Sequence, residues 1–183
     1  MRQVKNTNLI CVNVQRSFDS NIHSMQALST DDLPIFLMTP LSVERAAATL
    51  PFVRLFEPDL TAQRWRDFVR SLGRSKSGGL MALQDRRGYV HGLFSWRPAC
   101  SISHGRALRI ADVVLAQLPG QATLRAFLDG VKDLAAQSDC DTVLIELGER
   151  ARHVRADIET LDGAGFRQQA ASFCCVLRHA RAV

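Results

Sequence analysis

The alternation of apolar and polar positions predicts regular structure from about residue 35 onward. Residues 35–39 form a short apolar run between two prolines, which favours a strand. Ser42 is suited to cap a helix that follows, and Pro51 is predicted to interrupt that helix. A second helix is capped by Asp59 or Thr61. Its apolar stripe consists of Trp65, Phe68, Val69 and Leu72.

The middle of the chain predicts an antiparallel meander. Residues 80–84 and 89–96 form two strands, and the turn between them places Gly88 where a positive φ is needed. Residues 98–105 are predicted as a loop, and residues 107–116 as a third strand. Three consecutive strands joined by short connections favour antiparallel pairing.

After residue 120 the apolar spacing changes to that of an amphipathic helix. Its apolar positions are Leu124, Phe127, Leu128, Val131, Leu134 and Ala135. Residues 142–147 then form a nearly continuous apolar strand, as expected for a buried parallel neighbour. A short helix and a last strand over 166–178 follow. The sequence therefore predicts an α/β fold with a mixed, mainly antiparallel central sheet flanked by helices on both faces, in three layers.

Residues 1–33 differ from the remainder of the chain. They are rich in Asn, Gln and Ser and show no sustained helical period. We predict that they form a loosely ordered N-terminal extension, with an edge strand through Ile10, Val12 and Val14 as the alternative. The 183 residues suit a single domain, which we assign to residues 34–183.

Charge and composition restrict the partners. The net charge is +5 and the pI is about 9.3, which permits an anionic partner such as a phosphate-bearing molecule or nucleic acid. The charges are scattered, so nucleic acid is not required. No apolar stretch is long enough for a bilayer, and the five histidines show no metal-ligand spacing. An odd number of cysteines without a C-x-x-C pair favours a reduced, cytoplasmic protein.

One short motif carries a binding chemistry. The segment 117–122 reads Q-L-P-G-Q-A and stands between a predicted strand and the amphipathic helix. Backbone N–H groups at a helix N-terminus have no partner within the helix and attract phosphate oxygens. Gly120 and Ala122 leave those groups accessible, and Thr123 adds a hydroxyl. An ordinary turn that starts a core helix would explain the same residues.

The motif and the element order resemble the GNAT superfamily of acyl-CoA-dependent N-acetyltransferases, whose signature is Q/R-x-x-G-x-G/A. The resemblance covers residue 35 to the C-terminus and includes Gly165-Phe166. It implies acetyl-CoA as the acyl donor, and the histidine spacing predicts no metal. It also implies donor binding by the backbone of Val113, Val114 and Leu115 and by the residues of the turn, namely Gln117, Gly120, Gln121, Ala122 and Thr123.

One departure from the family concerns the general acid. Many members carry a Tyr four residues before the late glycine, where this chain has Leu161. Leucine cannot protonate a leaving thiolate. Either another group or water does so, or the protein binds acyl-CoA without turnover, or it has lost the chemistry.

Three side chains are candidates for the base that accepts the proton of an amine. Asp112 alternates with apolar residues and is predicted to share a face with Leu108, Ile110 and Val114. Glu146 lies near the carboxyl end of a buried strand, where α/β sheets bind ligands, and His91 lies on the third strand. An exposed or ion-paired role for Asp112, a solvated loop for Glu146 and a structural role for His91 are the alternatives.

These features together predict an N-acetyltransferase that moves an acetyl group from acetyl-CoA to a primary amine in a ternary complex. The acceptor is a small-molecule or peptide amine, and a homodimer would suit such a protein. The first alternative is a catalytically weakened acyl-CoA-binding or regulatory module with the same fold. A basic nucleic-acid- or protein-binding domain is the second alternative, and it predicts no affinity for coenzyme A.

Overall fold

Strands and helices follow one another along the chain in nearly the predicted order. The computed structural model describes residues 7–13, 35–75, 77–116, 118, 121–148, 154 and 157–172. The strands are β1 (Thr7–Asn13), β2 (Phe36–Pro40), β3 (Gly79–Asp85), β4 (Val90–Ser101), β5 (Gly105–Leu115), β6 (Thr142–Leu147) and β7 (Arg167–Ser172). The helices are α1 (Val43–Arg54), α2 (Ala62–Gly73), α3 (Ala122–Gln137) and α4 (Ile158–Gly163).

The described strands form one mixed sheet in the order β2-β3-β4-β5-β6-β1-β7. The pairing of β5 with β6 is parallel, because α3 carries the chain back across the sheet between them. The other neighbouring strands run antiparallel. This is the mixed, mainly antiparallel sheet that the sequence predicted.

The strand β1 changes the picture of the N-terminal segment. The composition of that segment predicts a loosely ordered extension, whereas residues 7–13 pair with β6 on one side and with β7 on the other. They therefore occupy an internal position, and not the edge. A local pattern shows that a segment can be extended, but even the nearest partner along the chain, Thr142 opposite Asn13, is 129 residues away. Val14, the last apolar position of the predicted alternation, lies outside the described residues.

The helices cover both faces of the sheet, which completes the three layers. On one face α1 and α2 pack against β3 and β4 around Val53, Trp65, Val69 and Leu93. On the other face α3 and α4 pack around Phe94, Phe127, Ile145 and Leu161. Phe94 and Phe127 meet edge to face, with ring centroids 5.2 Å apart.

The sequence correctly predicted the helix caps and the turn at Gly88. It was wrong about a helix break at Pro51 and about a loop over residues 98–105. Ser42 and Thr61 cap α1 and α2, and Gly88 has φ +83°. Helix α1 continues past Pro51, because the Ala47 carbonyl that loses its N–H partner lies on the exposed side of the helix. The predicted loop 98–105 is mostly strand, since β4 and β5 stay paired as far as Ser101 and Gly105.

Candidate active site

Strands β5 and β6 are paired along only part of their length. Their ladder runs from Ala107 opposite Thr142 to Ile110 opposite Ile145 and then ends. Beyond Ile110, β5 pairs with β4 alone among the described strands. Residues 111–115 of β5 therefore have a backbone edge that makes no ladder with β6. Backbone N–H and C=O groups left in this way can bind an extended ligand as if it were a further strand.

A β-bulge lies where the two strands separate. Leu93 pairs with Val114 and Ser95 pairs with Ala111, so that two residues of β5 stand opposite Phe94. Asp112 is one of these two residues and has φ +52°, a left-handed conformation that is uncommon outside glycine. The bulge reverses the side-chain alternation for the remainder of β5.

The bulge corrects the predicted orientation of Asp112. Leu108 and Ile110 face α3, whereas Asp112 lies with Val114 in the wall of a cavity beneath α1 and α2. The Asp112 side chain is exposed, and its Oδ2 accepts a hydrogen bond of 2.7 Å from the Ser95 hydroxyl. The Asp112 carboxylate thus lies where β5 and β6 separate, and a hydrogen bond from β4 orients it.

A polar cavity of about 330 Å³ brings Asp112 and Glu146 together. Its wall also includes Ser71 of α2, Ser75 just after that helix, and the two arginines Arg97 and Arg109. Glu146 forms an ion pair with Arg109 on the neighbouring strand, and both side chains are only partly exposed. Two of the three candidate bases therefore line one cavity, and only one of them is held by a guanidinium there.

A second cavity, of about 200 Å³, lies between the sheet and the pair α1–α2. Its apolar wall includes Val53, Leu60, Trp65, Phe68, Leu93 and Val114. The charged residues in its wall are Glu57, Arg64 and Asp112. Asp112 is thus common to the walls of an apolar and a polar cavity.

Among the described residues, no side chain caps the N-terminus of α3, where backbone N–H groups can attract an anion. Gln121 begins the helix in a left-handed conformation, with φ +62°, and its side chain makes no capping hydrogen bond. The first turn contains no acidic residue. Thr123 is 2% exposed, and its hydroxyl has no hydrogen-bond partner among the described residues. Buried hydroxyls are normally hydrogen-bonded, so this one is suited to a ligand atom.

Solved acetyltransferase structures share this architecture. One is a ribosomal-protein-alanine N-acetyltransferase from Brucella melitensis biovar Abortus 2308, with 12% identity, 79% of this chain and 99% of that chain covered, and a TM-score of 0.57. A putative acetyltransferase from Agrobacterium tumefaciens strain C58 has 14% identity, coverages of 77% and 99%, and a TM-score of 0.60. The aminoglycoside N-acetyltransferase AAC(6')-Iy, in complex with CoA, has 6% identity, coverages of 80% and 95%, and a TM-score of 0.57.

The chain has the GNAT fold.

This likeness rests on structure alone, since no family model and no curated protein matches the sequence. Identities this low establish a shared GNAT fold and leave the activity to be argued from the site. In the described ranges, no group of three or more His, Cys, Asp or Glu side chains is placed to hold a metal ion. None of the helices described is long and apolar enough to cross a membrane.

The donor-site residues suggested by the GNAT resemblance fall into two groups. Val113 and Leu115 are buried in the core beneath α3, and Val114 lines the apolar cavity, so only their backbone can face a ligand in the strand separation. Gln121, Ala122 and Thr123 form the start of α3. Gln117 and Gly120 lie outside the described residues.

His91 lies apart from the other two candidate bases. Its ring Nε2 is 3.1 Å from Asp85 Oδ2, and its ring meets Phe36 edge to face at 5.2 Å. The hydrogen bond with His91 is the main reason why the pKa of the Asp85 carboxyl lies below its ordinary value. His91 is absent from the walls of both cavities that contain Asp112.

Sequence reasoning missed Ser95, Arg109 and Trp65 as parts of the site. Arg109 alternates with Leu108 and Ile110, so its place on the opposite face was readable from the period of the strand. The contact of Ser95 with Asp112 depends on the register between β4 and β5 and on the bulge, which no local signal reports.

Proposed function

We propose that the chain is an N-acetyltransferase that moves an acetyl group from acetyl-CoA directly to a primary amine. The observation that carries this proposal is the edge of β5 that makes no ladder with β6 among the described strands, which runs from Asp112 toward the N-terminus of α3. In acetyl-CoA the thioester arm is followed by a diphosphate. The strand edge suits the extended arm, and the helix start that follows suits the diphosphate. The cysteine content favours the cytoplasm as its location.

The donor would bind through the backbone and one hydroxyl. The arm lies along residues 113–115 of β5, whose edge toward β6 is free among the described strands. The diphosphate lies at the start of α3, where the amides of Gln121, Ala122 and Thr123 and the buried Thr123 hydroxyl meet it. The sequence motif adds Gln117 and Gly120 to this site.

Asp112 is the better of the two cavity carboxylates as the base. Glu146 is neutralised by Arg109, whereas the described contact of Asp112 is a single hydroxyl hydrogen bond from Ser95. The neutral amine nitrogen attacks the thioester carbonyl carbon, a C–N bond forms, and the C–S bond breaks with its electron pair on sulfur. Asp112 accepts the proton of the nitrogen, and the thiolate takes a proton from solvent.

Two features of the site lower the barrier without a covalent enzyme intermediate. Binding amine and thioester side by side removes the entropic cost of bringing them together. A backbone N–H on the free edge of β5 can donate to the carbonyl oxygen as negative charge develops there. Neither feature depends on a tyrosine at position 161.

The second candidate function is an acyl-CoA-binding module without efficient turnover. It is favoured by Leu161, which is 5% exposed and packed in the core beneath α3, so it cannot act as an acid. Both candidates predict binding of acetyl-CoA, and they differ in thiol release during incubation with amines.

The test combines thermal stability with thiol release. Acetyl-CoA at a hundred times its Kd is expected to stabilise the protein by about 2.7 kcal/mol. Asp112→Asn should keep this stabilisation and lower kcat by about 10²- to 10⁴-fold. Asp67→Asn, at an exposed carboxylate of α2 outside both cavities, is the matched control.

Each outcome decides between the candidates. No stabilisation by acetyl-CoA would refute both. Stabilisation without thiol release across a panel of amines would favour the binding module. If Glu146→Gln removed thiol release and Asp112→Asn did not, the base would be Glu146.

A further inference from the structure

The apolar cavity beneath α1 and α2 has the size of one small ring. Its volume is about 200 Å³. A cavity of about 150 Å³ lined by apolar side chains accommodates benzene, and drug-sized ligands occupy about 300–1,000 Å³. The space beneath α1 and α2 therefore suits a six-membered ring with a short tether, and it is smaller than the cavities that hold drug-sized ligands.

We propose that the acceptor is an arylalkylamine, a primary amine on a short tether to a single aromatic ring. This inference rests on the proposed acetyl transfer and names the substrate class of the same site. The ring occupies the apolar cavity, and the tether brings the nitrogen to Asp112, which belongs to the wall of that cavity.

The aromatic wall of the cavity is held in place. Trp65 is 5% exposed, and its Nε1 donates a hydrogen bond of 2.7 Å to the Ala46 carbonyl of α1. Phe68 stacks against it, with ring centroids 5.6 Å apart and planes 23° apart. A buried indole with its only donor satisfied presents an apolar surface that is already formed before the ligand binds.

The charges around the two cavities favour one ammonium group over several. The apolar cavity has two carboxylates, Glu57 and Asp112, against Arg64. A longer polyamine would have to extend past Asp112 into the polar cavity, where Arg109 is already paired with Glu146 and Arg97 adds a further positive charge. Repulsion there acts against a second and third ammonium group.

The first experiment measures kcat/KM with 2-phenylethylamine, ethylamine and spermidine. We expect 2-phenylethylamine to exceed both others by at least about tenfold, since even one methylene in an apolar pocket is worth about 10-fold or more. Leu60→Trp, which adds bulk in the cavity wall, should lower kcat/KM for 2-phenylethylamine by at least about tenfold. Leu55→Trp, at a residue 75% exposed outside the cavity wall, should leave the order of the three amines unchanged.

The second experiment needs no turnover. The chain has two tryptophans, so Trp96→Phe leaves Trp65 as the only indole. Titration with 2-phenylethylamine should then change the Trp65 emission saturably, and spermidine should not. Leu60→Trp is not used here because it adds a fluorophore, and Leu60→Phe replaces it and should weaken the response.

The outcomes separate this inference from the proposed function. Stabilisation by acetyl-CoA with spermidine as the preferred acceptor would overturn the arylalkylamine proposal and leave acetyl transfer intact. Stabilisation without turnover of any amine leaves the decision to the Trp65 emission, and an unchanged emission overturns the proposal. Absence of stabilisation by acetyl-CoA removes the proposed function and the inference that rests on it.

Discussion

Removing the buried hydroxyl of Thr123 should stabilise the free protein and weaken its binding of acetyl-CoA. Thr123 lies in the first turn of α3 and is 2% exposed, and its Oγ1 has no partner among the described residues. A buried hydroxyl left without a hydrogen bond costs about 1–3 kcal/mol. Thr123→Val keeps the shape of the side chain and removes that oxygen.

The expected changes in stability and in affinity follow from the free protein and from the complex, respectively. In the free protein, Thr123→Val should raise the free energy of unfolding by about 1 kcal/mol, which for a domain of this size is about 2–4 °C in Tm. In the complex, the variant loses a hydrogen bond to a charged phosphate oxygen, worth about 1.5–3 kcal/mol. The Kd for acetyl-CoA should therefore rise by about 10- to 100-fold.

The assay is a thermal melt with and without acetyl-CoA, followed by calorimetric titration of the Kd. Thr49→Val is the matched control: Thr49 is buried in α1, and its hydroxyl donates to the Ala46 carbonyl at 2.8 Å. Removing a hydrogen bond that is made should lower Tm and leave the Kd unchanged. A lower Tm for Thr123→Val together with an unchanged Kd would refute the assignment of its hydroxyl to the donor site.

Three further predictions concern stability. Asp85→Asn should destabilise the protein near neutral pH, because the pKa of Asp85 is lowered in the folded state, chiefly by its hydrogen bond with His91. A lowered pKa stabilises the fold above the ordinary value of about 3.9 and ceases to do so as the pH falls, so the denaturation midpoints of variant and wild type should converge below about pH 4. Gly92→Ala should cost about 1–3 kcal/mol in a urea melt, because its Cβ would lie 2.5 Å from a methyl group of the buried Leu115; an unchanged midpoint would show that Leu115 can move aside. Deletion of residues 1–13 should lower Tm and cause aggregation seen by light scattering, because β6 loses its antiparallel partner and exposes an edge; an unchanged, soluble protein would contradict the internal place of β1.

The hydrophobic periods were sufficient for most of the elements and for the layers. The apolar stripe of α2 and the continuous run of β6 each predicted a buried element, and both lie in the two cores. Burial of apolar side chains stabilises both elements. The pattern that places those side chains on the buried face spans only a few neighbouring residues, so it can be read from the sequence. The same signals failed at Pro51 and at residues 98–101, where pairing and solvent exposure outweighed the local preference.

The sequence by itself determined the three-layer α/β fold, the start of α3 as a candidate anion site, and the short set of carboxylates from which a base could be chosen. Only the tertiary structure decided the internal position of β1, the face on which Asp112 lies, and the neutralisation of Glu146 by Arg109. The reason is the range of the interactions. Periods and caps act over a few residues, whereas strand partners, a bulge and an ion pair between strands depend on register between segments that are distant in the chain.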